Sequence, residues 1–294
     1  MEQFLERLVI ESVMGLQNGL VLALVAAGFT LILGVMNIVN FAHGEFYMAG
    51  AFAGWLALKF GSAIVGFWGA VVIAGVVVAA FGYAIERSLF RTTHGGNPFI
   101  PLLVSFGLAL VLQQAALTIF GTIGKFMAPP IKASVPFFDL EFPLYRIVIM
   151  GVAALIMLLL WLFVTRTKWG VWIQATIQNR EMAACMGVPV PHVYQLVFAV
   201  GCGLAAMSGV LVAPIFSVDY SMGSDIIVAA FIVVVVGGLG SLPGTMLAAL
   251  LIGELEAIGS IFLEGSQPQI LSLLVLLVFL VFRPNGLMGD RGLE

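Results

Sequence analysis

The chain is constrained first by its apolar runs. Segments near 13–36, 42–60, 62–84, 99–120, 144–165, 191–214, 224–236, 246–263 and 268–283 are almost free of charge. A helix needs about 20 apolar residues to cross a bilayer, and most of these runs meet that length. The strands of a membrane barrel would instead alternate in polarity over about ten residues, and these runs do not. Only 9% of the 294 residues are charged and 62% are hydrophobic, against roughly a quarter charged in a soluble domain. The expected fold is an all-α integral membrane protein, a polytopic bundle of about eight or nine helices with broken or re-entrant segments. One domain is expected over 1–294.

Two polar interruptions stand out. The first, NIVNFAHGEFYMAGAFAG over 37–54, places Asn37, Asn40, His43 and Glu45 between two apolar runs. Such groups are costly in hydrocarbon and face a bundle interior, a wet cavity or the interface. Irregular backbone at membrane depth is tolerated only where protein or water covers it. The second, GGLGSLPG over 237–244, offers Gly237, Gly238, Gly240, Ser241, Pro243 and Gly244. Each joins an apolar run to a small-residue helix, and paired interruptions in two halves of a chain point to a transport site.

Other polar residues have quieter readings beside functional ones. Gln17 and Asn18, inside the first run, either hydrogen-bond between helices or line a path. Gly50 and Gly54 form a small-xxx-small pair suited to close helix packing. Asp225 falls in the first turn of its helix, where a carboxylate complements the dipole. Glu254 and Glu256 point about 200° apart on one helix, so only one of them can face a path, and Glu256 is the candidate. The interval 121–143 has four prolines and no helical period, and is expected to be an ordered surface loop. The longest polar interval, 165–192, has helical character in its middle and stops at Gly187 with Pro189 and Pro191 beyond. It is either a docking surface for a partner or an interfacial helix lying on lipid.

Some chemistry is excluded. No GxxxxGK[ST] phosphate loop is present. The three histidines, His43, His94 and His192, lie in separate segments, so no metal site is expected. Cys185 and Cys202 give no disulfide framework. No basic stripe suggests nucleic acid. The N-terminus, MEQFLERLVIES, lacks the basic start of a cleaved leader. If 85–98, 165–190 and 283–294 share one side, that side holds seven of the twelve Lys and Arg. The positive-inside rule then favours an N-terminus outside and a C-terminus inside, in the cytoplasm.

GFTLILGVMNIVNFAHGEFYMAGAF, TRTKWGVWIQATIQNREMAACMGV, GGLGSLPGTMLAALLIGELEAIG and FRPNGLMG together resemble the LivH-type permeases of branched-chain amino acid ABC importers. The resemblance covers nearly the whole chain. It implies a multi-pass subunit of the cell inner membrane that is not an enzyme and carries no cofactor. ATP and Mg would be handled by two cytoplasmic ABC ATPases. The other implied partners are a second, LivM-type permease and a periplasmic substrate-binding protein. By the same resemblance, 165–190 is a cytoplasmic loop holding a coupling helix, Gln174 to Gly187. Gln174, Asn179, Arg180, Glu181, Ala184, Met186 and Gly187 are its contact residues. Ala175-Thr176-Ile177-Gln178 stands where the family is commonly more basic. Asn37, Asn40, His43, Glu45 and Glu256 become the expected substrate path, with the first three either lining it or bracing the broken helix. Relatives also carry urea and short amides, and an ion-coupled secondary transporter of small zwitterions is the rival reading.

Overall fold

The structure is a computed structural model, describing residues 2–61, 66–93, 97, 99–137, 140–263, 265, 267–283 and 286–288. His94, Arg291 and, within FRPNGLMG, Pro284, Asn285 and Gly289 lie outside the described residues, as do residues 62–65 at the start of the third expected span.

Eleven α-helices are described. The apolar runs become α1 (Glu2–Met36), α2 (His43–Gly61), α3 (Gly66–Ser88), α4 (Phe99–Phe120), α5 (Leu144–Arg166), α8 (Val190–Val212), α9 (Met222–Gly237), α10 (Leu242–Gly259) and α11 (Gln267–Phe282). Between α5 and α8 lie two short helices, α6 (Lys168–Gln178) and α7 (Arg180–Cys185). Six helices are long and apolar enough to cross a membrane, and α9 and α11 are shorter apolar helices. The protein is a multi-pass membrane bundle.

Burial sorts these helices. The centre is α1 and α8, against which α2, α3 and α10 pack. The middle of α1, from Val21 to Val25, is nearly inaccessible, and so are Phe198, Cys202 and Val210 of α8. Close approach depends on small residues: Gly28 of α1 meets the backbone of Gly201 on α8, and Gly50 of α2 meets Ala206. The expected packing role of Gly50 and Gly54 is what the structure has, with Gly54 against Val210. Helices α4, α5 and α11 lie outermost, with Leu103, Val111, Leu159 and Leu277 exposed as on a lipid-facing surface. The five tryptophans mark two levels. Trp55 and Trp68 lie at one end of the bundle, and Trp161, Trp169 and Trp172 at the other, as aromatic belts do at the two membrane interfaces.

Two expectations need correction. The loop over 121–143 contains an antiparallel hairpin, β1 (Ser134–Phe137) with β2 (Leu140–Pro143). The sequence VPFFDLEF lacks clean alternation, and pairing through the backbone needs none. The segment Gln174 to Gly187 is not one helix. It breaks at Asn179, whose extended backbone (φ −157°, ψ 106°) ends α6, and whose side-chain oxygen accepts from the Met182 N–H at 2.9 Å to start α7. Asparagine prefers this capping position to a helix interior.

Candidate functional site

The first interruption is a return rather than a bend. Helix α1 runs on to Met36, and Asn37 leaves it with a left-handed backbone (φ 55°), a conformation asparagine tolerates better than most residues. Residues 37–42 are not helical. They climb back beside α1, because His43 Nε2 lies 3.0 Å from the carbonyl of Val25. Val25 is eleven residues before Met36, about 16 Å along the helix. Helix α2 therefore begins near the middle of the bundle. The climb is braced by Ser105 of α4, fully buried, whose hydroxyl accepts from Phe41 N–H at 3.2 Å.

This placement explains the polar residues. Asn40 is buried and its Oδ1 accepts from Ala42 N–H at 3.1 Å, stabilising the turn into α2. The Val25 carbonyl can only accept, so His43 Nε2 carries the proton, and the ring stacks on Phe29 with centroids 5.5 Å apart. Nδ1 of His43, Nδ2 of Asn40 and Oε2 of Glu45 are buried without a hydrogen-bond partner among the described residues. Buried polar atoms left in this way are uncommon, and here three occur within six residues. Glu45 is 3% exposed and lies against Gly223 in the first turn of α9. The backbones of Gly44 and Gly223 are in contact, so the N-termini of α2 and α9 meet at mid-depth.

The second interruption is a tight turn. Helix α9 ends at Gly237, Gly238 and Gly240 take φ of 104° and 82°, and Ser241 caps α10 by accepting from Gly244 N–H at 3.3 Å. Only glycine takes such angles cheaply. Pro243 sits in the first turn of α10, where its missing N–H costs nothing. The C-terminal segment clamps the turn: Leu287 N–H donates to Val236 at 2.8 Å and Met288 N–H to Gly237 at 3.1 Å. A β-carbon on Gly34 would lie 3.1 Å from Gly240 Cα and 3.8 Å from the Ile177 side chain of α6. Thr30 and Thr245 share a hydrogen bond at 2.8 Å. The last turns of α1, the second interruption, α6 and residues 286–288 thus form one end of the bundle. Arg91 reaches the same end, in a cleft of about 400 Å³ shared with Arg180, Glu181 and Tyr194.

In the other half lies a cavity of about 450 Å³. Asn18 and Leu22 of α1, Asp219, Asp225 of α9, Glu256 of α10 and Gln269 of α11 border it, with Tyr47 and Met222 towards its inner end. Glu256 is held by Ser272, whose hydroxyl donates to it at 2.6 Å. The expected path residues therefore fall in three places. Asn40, His43 and Glu45 are together at mid-depth, Asn37 is exposed at the interrupted end, and Glu256 lines the cavity. Gln17 takes the quieter of its two readings and accepts from Arg146 of α5 at 3.0 Å, whereas Asn18 faces the cavity. Tyr47, Asp219 and Gln269 were not nominated from sequence. Tyr47 stands in a run of mostly apolar and small residues, and only the meeting of α1, α2, α9, α10 and α11 shows a shared space.

In the expected coupling segment, Gln174, Arg180, Glu181, Ala184, Met186 and Gly187 are exposed. Asn179, also exposed, is the cap described above. Of Met182, Ala183, Cys185 and Met186 in α7 and at its end, only Ala183 is buried.

The relatives of this chain are transport proteins. It is 31% identical to the high-affinity branched-chain amino acid transport system permease protein BraD of Pseudomonas aeruginosa, over 95% of each chain. It is 30% identical to the corresponding protein LivH of Escherichia coli, again over 95% of each. A more distant likeness, 24% over 89% of this chain and 66% of the other, is to the permease protein LivM of Escherichia coli. No solved structure matches the chain. Residues 12–283 match the family described as the permease component of the branched-chain amino acid transport system, and the chain belongs to that family of membrane transport subunits.

Proposed function

We propose that this chain forms half of the membrane channel of an ABC importer for branched-chain or similar neutral amino acids in the cell inner membrane. The observation that carries the reading is a line of features along one axis. The cavity opens in the half away from the interruptions. Beneath its inner end, at Tyr47 and Met222, lie Glu45, His43 and Asn40 with their unpartnered buried atoms. Below these come the two interruptions and the exposed segment α6–α7. The path is open at one end and closed at mid-depth, where the N-termini of α2 and α9 touch.

Its partners in this reading are a LivM-type permease, two cytoplasmic ATPases that hold the ATP and Mg, and a periplasmic binding protein. The interrupted end faces the cytoplasm, consistent with Arg87, Arg91, Arg166, Lys168 and Arg180 lying there. The N-terminus is periplasmic. Residues 165–190 dock on an ATPase through Gln174, Arg180, Glu181, Ala184, Met186 and Gly187, with Asn179 setting the angle between the two short helices. Closure of the ATPase dimer pushes on α6, and Ile177 carries the push to Gly34 and the turn at Gly240. Gly237, Gly238, Ser241, Pro243 and Gly244 hinge α10 against α9. The contact between α2 and α9 then separates, and Glu45, His43 and Asn40 gain partners in water or substrate. Asn37 supports the return of the chain, and Glu256 belongs to the outer opening.

The test is uptake of labelled leucine into cells expressing the full system, with ATP depleted and the proton gradient intact. Uptake should stop. Uptake that persists with the gradient and collapses with it would make the protein an ion-coupled secondary transporter. Purification in mild detergent should bring down two ATPases and a second permease.

A further inference from the structure

We propose that the cavity is an ammonium-receiving site, so that the permease itself, and not only its binding protein, selects solutes bearing a protonated amine. The inference rests on the transport reading above and adds the substrate chemistry of this site.

The lining argues for it by charge. Three carboxylates, Asp219, Asp225 and Glu256, border the cavity, and among the described residues no Lys, Arg or His does. The three have different duties. Asp219 accepts from Ser221 N–H and Met222 N–H at 2.8 and 3.1 Å, which fixes the entry to α9. Glu256 is oriented by Ser272. Asp225 is exposed and its carboxylate accepts no hydrogen bond among the described residues, and it stands on the side where α9 borders the cavity. A carboxylate at membrane depth with no cation near it is costly unless something covers or neutralises it.

A second, independent observation points to a ligand. Tyr47 is 5% exposed, its hydroxyl makes no hydrogen bond among the described residues, and it lines the inner end of the cavity close enough to Asp219 for the two to interact electrostatically. Buried tyrosine hydroxyls usually have a partner. Here the free group is a donor and acceptor facing the space a solute would fill. Asn18 and Gln269 add neutral polar groups, and Leu22, Phe216 and Ile226 add apolar wall. The volume lies in the range of small-molecule sites. An ammonium would sit towards Asp225 and Glu256 and an aliphatic side chain against the apolar wall. Anions, and solutes without an amine such as 2-hydroxy acids, would be disfavoured.

The test uses the assembled transporter in proteoliposomes, with Cys185→Ser to remove the exposed native thiol and Ser217→Cys to report from the cavity wall. Two thiol reagents are compared, a trimethylammonium-ethyl and a sulfonatoethyl methanethiosulfonate, with each rate divided by that for a free thiol. The cationic reagent should be favoured by tenfold or more. Asp225→Asn should lower that preference at least threefold, and Glu256→Gln, a second variant in case the first does not assemble, should do the same. Leucine should slow the labelling, and its 2-hydroxy analogue at equal concentration should not. Equal rates for the two reagents, or equal protection by both solutes, would overturn the proposal. The labelling ratio needs no transport, so it stands or falls apart from the importer reading. Loss of ATP-driven uptake with the ratio intact would count against that reading alone.

Discussion

The contact between α1 and α8 allows a prediction with a worked magnitude. A β-carbon at Gly28 would lie 2.7 Å from the carbonyl oxygen of Gly201 and 3.0 Å from its Cα. Both are backbone atoms on the neighbouring helix and cannot rotate aside, so the helices must separate by several tenths of an ångström. Extra carbon forced into a packed interior costs about 1–3 kcal/mol. Against that, alanine is better than glycine inside a helix by about 0.8–1.0 kcal/mol. Gly28→Ala should therefore come out destabilised by up to about 2 kcal/mol, and Gly28→Val by more, since a branched side chain adds bulk without as much helix preference. Gly151 on α5 and Gly107 on α4 are the controls, because a β-carbon at either meets nothing within 4 Å. Gly151→Ala and Gly107→Ala should be neutral or slightly stabilising. Unfolding in mixed micelles with rising SDS, followed by tryptophan fluorescence, would rank the four. The reasoning fails if Gly28→Ala is as stable as the two controls.

Other expectations follow from single contacts. His43→Ala removes the tie to Val25 and one unpartnered nitrogen, and should abolish uptake while the complex still assembles; normal uptake would take His43 out of the mechanism. Gln17→Leu removes the hydrogen bond that the Arg146 guanidinium donates to Gln17, and hydrogen bonds to charged groups are worth about 1.5–3 kcal/mol. The loss should be partly recovered in Gln17→Leu with Arg146→Leu, and additive losses in that double-mutant cycle would show the pair to be uncoupled. Asn179→Ala removes the cap of α7 at a cost of about 1 kcal/mol. Amide exchange should quicken over Met182–Met186, and substrate-stimulated ATP hydrolysis should fall. Gly240→Ala puts a side chain at φ 82°, a left-handed strain of roughly 1–2 kcal/mol, and should slow uptake without changing the affinity of the binding protein.

The helices were legible because hydrocarbon imposes a length and a composition, and nine apolar runs in the sequence became nine apolar helices. The two interruptions were legible for the same reason, since Asn37, Asn40, His43 and Glu45 had no low-cost place in a lipid-facing helix. The family was carried by short motifs around them. What the sequence did not determine is depth and neighbourhood. Nothing in NIVNFAHGE says that the chain climbs back along α1, so that His43 reaches Val25 and α2 starts at mid-height. That follows only from packing against α1, α4 and α9. Asn179 read as one more residue of a helix, and its cap hydrogen bond divides it. The cavity was the least visible feature, because Asn18, Tyr47, Asp225, Glu256 and Gln269 come from five helices. Hydropathy records what each segment buries, whereas a site depends on which buried faces meet, and tertiary packing alone decides that.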